Sequence, residues 1–460
     1  MGDRTTIVLF GASGDLAGRL LLPALAALQA ERRLPNGFRL IGSATKDWDD
    51  VAFRQFAVEQ LEQHACELPA AARTALVSSL TYRRADLSRS EDVDRAVADA
   101  GAVGPIVAYL ALPPSVFKGA VTALGKTGLP TGSRIAIEKP FGEDLDSARA
   151  LNALLARIAG PAGEQAVFRV DHVLGMATVH NMVGLRLANQ LTASLWDSAH
   201  VEQVEILWEE TLALEGRAGY FDRAGALKDV LQNHALQVLS LLAMEPPTSV
   251  GERGLRDRKV EVLRSLRPPA GDELASQTRR ARYTAGRIGD RAVPAYEEED
   301  GVDPGRGTET FAEVMLELDN ARWAGTQFVL RAGKAMRRRR KGVLVRFRPV
   351  ARPPLIEGEP TGNELWIGLD GPEDVRLGLT GSEPAPSFRP CPVTLTAPPP
   401  PSDLPPYARV LLDILDGDGA LSVRGDEAEE AWRVIDPIAQ EWRLGGVPLQ
   451  EYPAGSDGPS

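Results

Sequence analysis

Along the first third of the chain, apolar and polar positions repeatedly change their period. TTIVLF, FRLIGSA, PIVAYLAL and RIAIEKP are short apolar runs of strand length. Between them, LLPALAALQA and VAFRQFAVEQLEQ place their apolar residues at helical spacing. Strand and helix in alternation predict βαβ units and a parallel sheet. From about Asp171 the pattern changes. HNMVGLRLANQLTASLW reads as one long helix, VEQVEILWEETLAL alternates as an antiparallel strand does, and GALKDVLQNHALQVLSLLAM is helical again. The strands TFAEVMLELD, RWAGTQFVLRAG, GVLVRFRPV and NELWIGLD follow. The expected architecture is an N-terminal α/β domain over residues 1–170 and a larger α+β domain over 171–460, with a mainly antiparallel sheet.

Three segments read as loops. Gly289 to Gly307 is acidic and glycine-rich, the prolines between Leu395 and Tyr407 exclude a central strand, and the polar tail after Trp442 is expected to be loose at its end. A chain of 460 residues is long for one core, which agrees with two domains. No run approaches the eighteen or so apolar residues of a membrane helix, so no membrane partner is expected. MGDRTTIVLF lacks the regions of a secretory signal, and two cysteines, Cys66 and Cys391, suit a reducing cytoplasm. A net charge of −11 argues against a nucleic-acid partner. The exception is RRRRK, Arg337 to Lys341, which reads either as a solvated strand edge or turn, or as a site for an anion.

FGASGDLAGRLLLPAL follows the first strand and opens the first helix. Gly11 and Gly14 let the backbone turn close to a pyrophosphate, Ser13 adds a hydroxyl, and the helix starting near Asp15 and Leu16 points its free N–H groups at the anion. A plain strand-to-helix turn is the competing reading. The second strand ends in Ser43, Ala44, Thr45 and Lys46, without the carboxylate that usually holds an NAD ribose. Hydroxyls and one cation favour NADP slightly over NAD. His234, in QNH, could be an ordinary satisfied helix histidine, yet an imidazole of pKa about 6.5 is also the side chain best placed to accept a proton near neutrality. The cysteines and histidines never fall at ligand spacing, so no metal is expected.

GASGDLA, YLALPPSVF, EKPFG, RVDHVLG, EGRAGYFDRAGALKDVLQNH, AMEPP, RAGK and GDEAEEAW, in that order, resemble the glucose-6-phosphate dehydrogenase family over nearly the whole chain. The resemblance implies a Rossmann-like first domain, a second domain whose sheet makes the contact of a homodimer or homotetramer, and oxidation of a sugar at C1 to the 1,5-lactone with NADP or NAD. It makes His234 the general base, with Asp171 hydrogen-bonded to it. Lys139 would lie between sugar and nicotinamide, with Pro113 also at the cofactor. Glu210, Asp229, Lys334 and His172 would hold the sugar or its phosphate.

Departures from the family pattern cluster at one end of the substrate. GDLAKRKL is here GDLAGRLL, placing Gly18 and Leu20 for lysines, and RIDHYLGK is RVDHVLGM, placing Val173 for tyrosine and Met176 for lysine. Arg339 replaces a further lysine, and Asp370 stands where a glutamine contact is common. In the family the groups at 20, 173 and 176 surround the 6-phosphate, and at about 1.5 to 3 kcal/mol per charge-assisted bond the lysines lost at 20 and 176 remove roughly 3 to 6 kcal/mol from its recognition. The sequence therefore points to a hexose with a non-phosphorylated or modified C6. The alternatives are an ordinary glucose-6-phosphate 1-dehydrogenase whose phosphate site is rebuilt from Arg339, His172 and the RRRRK run, and a non-catalytic partner or regulator with the same fold. In GSATK, Thr45 occupies the position of a common family arginine for the 2'-phosphate, with Lys46 next.

Overall fold

The computed structural model describes residues 5–87, 89–101, 104–216, 218–249, 251–351, 358–370, 374–383, 389–399 and 401–459. It divides into two compact units, Met1–Ala177 with Thr248–Arg256 and Ser402–Glu429, and Thr178–Pro247 with Asp257–Pro401 and Glu430–Ser460. The division does not follow a single cut at residue 170. The helix Pro406–Asp416 explains much of the difference, because Tyr407, Leu411 and Ile414 are buried in the hydrophobic core of the first unit beside Leu21, Leu25 and Tyr109. Apolar spacing along that helix, unpartnered by anything near it in sequence, finds its core some 300 residues upstream.

The first unit is built on β1 (Thr6–Phe10), β2 (Arg39–Ala44), β3 (Leu80–Arg84), β4 (Ile106–Leu110), β5 (Arg134–Glu138) and β6 (Val167–Val170). Among the described residues these form a six-stranded sheet of order β3-β2-β1-β4-β5-β6, every pair parallel. The order reverses between β1 and β4, and ligands of such sheets bind outside the carboxyl ends at that switch point. The apolar runs that signal β1, β2, β4 and β5 are fully or nearly fully buried, as strands covered on both faces must be.

In the second unit lie β7 (Val201–Glu209), β8 (Thr278–Thr284), β9 (Phe311–Leu318), β10 (Gln327–Gly333), β11 (Arg340–Phe347), β12 (Glu364–Gly368), β13 (Val375–Ser382), β14 (Pro390–Ala397) and β15 (Leu449–Pro453). They run β14-β13-β12-β11-β7-β10-β9-β8-β15, and Leu266–Arg267 pairs with β9 as a tenth strand. Only β7 with β10 and β15 with β8 are parallel among the described pairs. The buried helical stretch Leu227–Ala243 packs on β7, β9 and β10, which brings its side chains against the sheet.

Four local expectations change. The tail is not loose, because Leu449–Pro453 pairs with β8 and the Gly455 N–H reaches the Ala335 carbonyl. Leu395 to Ala397 lie in β14, and its prolines are tolerated because β14 is an edge strand. The long helix after Asp171 stops at Leu187, and Asn189 takes an extended conformation before a short second turn, Gln190–Ala193. Gly289 to Gly307 contains a short strand and two single helical turns. No helix among the described residues is long and apolar enough to cross a membrane.

Candidate active site

In the first unit the glycine-rich turn is fixed by its backbone. The N–H groups of Gly11 and Ala12 both donate to the Ser43 carbonyl, at 2.8 and 3.2 Å, tying the end of β1 to that of β2. Gly11 has φ +86°, and a Cβ there would meet the Ala111 carbonyl oxygen at 2.1 Å, so only glycine lets this turn lie against the segment after β4. Gly14 and Asp15 are exposed, and Ser13 and Leu16 half-buried, where the helix begins. An open turn with a helix N-terminus at the switch point fits a pyrophosphate. Gly18 is buried, and a Cβ there would meet the movable end of the Gln60 side chain, so the structure does not require glycine at this position.

Beyond β2, Thr45 and Lys46 are exposed. The Tyr82 hydroxyl reaches the carbonyls of Ala44 and Lys46 at 3.0 and 2.9 Å, and the Lys46 ammonium sits 4.4 Å from the Trp48 ring centre. Pro113, exposed, precedes the helix Pro114–Thr127 at the end of β4.

At the end of β5, Glu138 is buried and accepts a 2.6 Å hydrogen bond from the Tyr109 hydroxyl. The Tyr407 phenol also favours its ionised form. Burial pushes its carboxyl up to about 7, against the pull of the two phenols and of Lys139. Lys139 follows directly, half-buried. Asp171 is buried and accepts the Val173 N–H at 3.1 Å, which caps the turn His172–Gly175. His172 stacks on Tyr407, ring centres 5.5 Å apart and 13° from parallel. Val173 is fully buried and Met176 is 9% exposed, so both serve the interior of the protein, whereas Leu20 is 44% exposed.

The second unit gathers opposite charges. Glu210, directly after β7, receives the ammonium groups of Lys334 at 2.9 Å and Lys341 at 2.8 Å. Burial alone would raise its carboxyl, but the two cations hold it down to about 2. Lys341 also reaches Asp370, at 3.2 Å, and Arg339 pairs with Asp370 from the other side. Burial opposes ionisation of Asp370 too, and Lys341 and Arg339 overcome it. The group carries three cations and two carboxylates, a net positive charge. His234 is buried on the helical stretch over the sheet and stacks on Trp208, ring centres 5.5 Å apart. Asp229 lies five residues earlier on the same stretch, half-buried.

In the RRRRK run the four arginines are exposed, Arg337 and Arg338 in a bend before β11, and Lys341 alone is buried. Strand alternation sends Arg340, at the start of β11, to one face and Lys341 to the other, and each meets a carboxylate, Glu209 for Arg340 at 2.6 and 2.8 Å. Lys341, Glu138, Tyr109 and Tyr407 are residues of these clusters that sequence reasoning did not single out. The run itself was the one signal available for Lys341.

A turn of this kind at the switch point of a doubly wound sheet is the arrangement of a dinucleotide-binding domain, and the same chain carries a buried imidazole in its second unit, as an NAD(P)-dependent oxidoreductase would need. The comparisons narrow the class to one family. Residues 8–181 match the glucose-6-phosphate dehydrogenase NAD binding domain, and residues 183–460 its C-terminal domain. The chain belongs to the glucose-6-phosphate dehydrogenase family, oxidoreductases that act on a sugar CH–OH. It is 38% identical to the glucose-6-phosphate 1-dehydrogenase of Mycolicibacterium smegmatis over 99% of this chain and 94% of that one. It is 37% identical to that of Rhizobium meliloti, over 98% and 94%. A solved glucose-6-phosphate dehydrogenase in complex with its substrate glucose-6-phosphate superposes with a TM-score of 0.89 at 29% identity, covering 99% and 95%.

Proposed function

We propose that this protein oxidises glucose 6-phosphate at C1 to the 1,5-lactone, with NADP preferred over NAD. The observation that carries the substrate is the net-positive group of Lys334, Lys341 and Arg339 around Glu210 and Asp370. Glu210, ionised far below neutrality, suits the acceptance of sugar hydroxyls, and the half-exposed Arg339 keeps a guanidinium for the phosphate. Burial of Val173 and Met176 supports the same reading. Their apolar character is accounted for by packing, so it is weak evidence for a deoxy or uncharged C6.

In this reading His234 takes the C1 hydroxyl proton and Asp171 orients its imidazole and stabilises the imidazolium. Bound NAD(P)+ supplies the hydride acceptor. Lys139 holds a substrate hydroxyl by a charged hydrogen bond, and Asp229, His172 and Lys334 fix the sugar. The turn from Gly11 to Leu16, with Pro113, Thr45 and Lys46, holds the cofactor. The first unit is the cofactor domain and the second the substrate and dimerisation domain, in a homodimer or homotetramer of the cytoplasm.

One observation favours a second substrate. Leu20 is exposed where the family motif has a lysine, which thins the cation set on the first unit. A C6 less anionic than a phosphate remains the competing identity. Arg339→Ala separates the two: the preference for glucose 6-phosphate over glucose in kcat/KM falls by about ten- to a hundredfold if the guanidinium carries phosphate recognition. An unchanged preference would remove Arg339 from the site.

A further inference from the structure

The adenosine 2'-phosphate end is where this chain has Thr45 in place of an arginine, and the structure offers a guanidinium from the neighbouring strand instead. β3 runs parallel to β2 with Ala44 in register with Arg84, the last residue of β3. Both strands therefore end at one level. Side chains two residues apart on a strand share a face, so Arg84 leaves β3 on the side of Tyr82. That side looks onto the loop after β2, because the Tyr82 hydroxyl bonds to the carbonyls of Ala44 and Lys46. Arg84 is exposed there, and its ion pair is with Asp47 of that loop, at 3.3 Å, between side chains 63% and 89% exposed. Lys46 stands on the Trp48 ring in the same loop, and Trp48 in turn packs against Tyr82.

We propose that Arg84, together with Lys46, is the clamp for the 2'-phosphate of NADP, and that Asp47 holds the guanidinium until the phosphate displaces it. The proposal rests on the reading of NADP as the preferred cofactor. An exposed arginine–carboxylate pair is worth little, whereas a phosphate offers the guanidinium two parallel charge-assisted bonds. Tyr82 and Trp48 give the loop the rigid footing such a clamp needs. The expected contact residue thus moves from β2 to β3, forty residues later in sequence.

Equilibrium titration of the full-length protein with 2',5'-ADP and with 5'-AMP, which differ only by the 2'-phosphate, tests this without turnover. Wild type is expected to prefer 2',5'-ADP. Arg84→Ala lowers that preference by about ten- to a hundredfold, Arg84→Lys keeps part of it, and Asp47→Asn raises it by freeing the guanidinium. An Arg84→Ala protein that melts like wild type and keeps the full preference overturns the clamp while leaving NADP as the cofactor. Wild type that binds both nucleotides but without preference overturns the NADP reading and the clamp with it.

Discussion

Glu138 at the end of β5, buried, and Glu210 directly after β7, half-buried, are carboxylates one in each unit, and their pKa values shift in opposite directions. Burial raises both. Glu138 faces two phenols, of which Tyr109 donates a hydrogen bond and neither carries a charge, and it rises to about 7. Glu210 faces two ammonium groups and falls to about 2. The charge of the partners, together with depth, sets the direction in which each carboxylate shifts. A group that stays ionised can receive substrate hydroxyls, whereas one that titrates near neutrality serves to hold its neighbour, here Tyr109.

The largest break is to the chemistry. His234→Asn should reduce kcat by about a hundred- to ten-thousandfold, the range of general-base catalysis, with thermal unfolding little changed. Turnover at the wild-type rate would remove the assigned base.

Next comes the charge balance around Glu210. Lys341→Met takes one ammonium from both Glu210 and Asp370, which are half-buried, and should lower stability by about 1.5 kcal/mol in urea denaturation. The sign of the pH effect follows from the pKa. A carboxyl held at about 2, against 4.5 ordinarily, adds stability above pH 4.5 that is lost as pH falls toward 2. In Lys341→Met that loss should begin at higher pH, and an acid profile identical to wild type would show that Lys341 does not hold Glu210 ionised.

A smaller effect sharpens the other side. Tyr109→Phe removes the 2.6 Å hydrogen bond that Glu138 accepts, at about 1 kcal/mol. Because that bond favours the ionised form, its loss should push the Glu138 carboxyl further up. Glu138→Gln breaks the same side through its pH dependence. With its folded pKa raised from 4.5 to about 7, Glu138 makes the protein less stable as pH climbs through that interval, since the folded state holds a proton the unfolded chain has lost. The glutamine variant should flatten the decline in Tm between about pH 4.5 and 7, and an unflattened curve would show that Glu138 is ionised throughout.

Much of this was legible in the sequence where the physics is local. β1, β2, β4 and β5 announce themselves because strands covered on both faces are continuously apolar. LTYRR and TRRARYT do not, since β3 and β8 keep polar residues on one side. Asp171, His234 and Lys139 stood out by residue type and motif. Glu138 could not be joined to Tyr407 from sequence, because their pairing depends on a helix that returns after a proline-rich loop. Lys341 was hidden inside RRRRK until the register of β11 assigned each basic residue to a face. Arg84 needed the pairing of β2 with β3.

The most direct test of the account is steady-state turnover of glucose 6-phosphate and glucose side by side with NADP. The cation group of the second unit predicts kcat/KM at least about a hundredfold higher for glucose 6-phosphate, the worth of two charge-assisted bonds. Glucose turned over as well as its phosphate, or better, would contradict it and make the C6 end of the substrate something other than a phosphate.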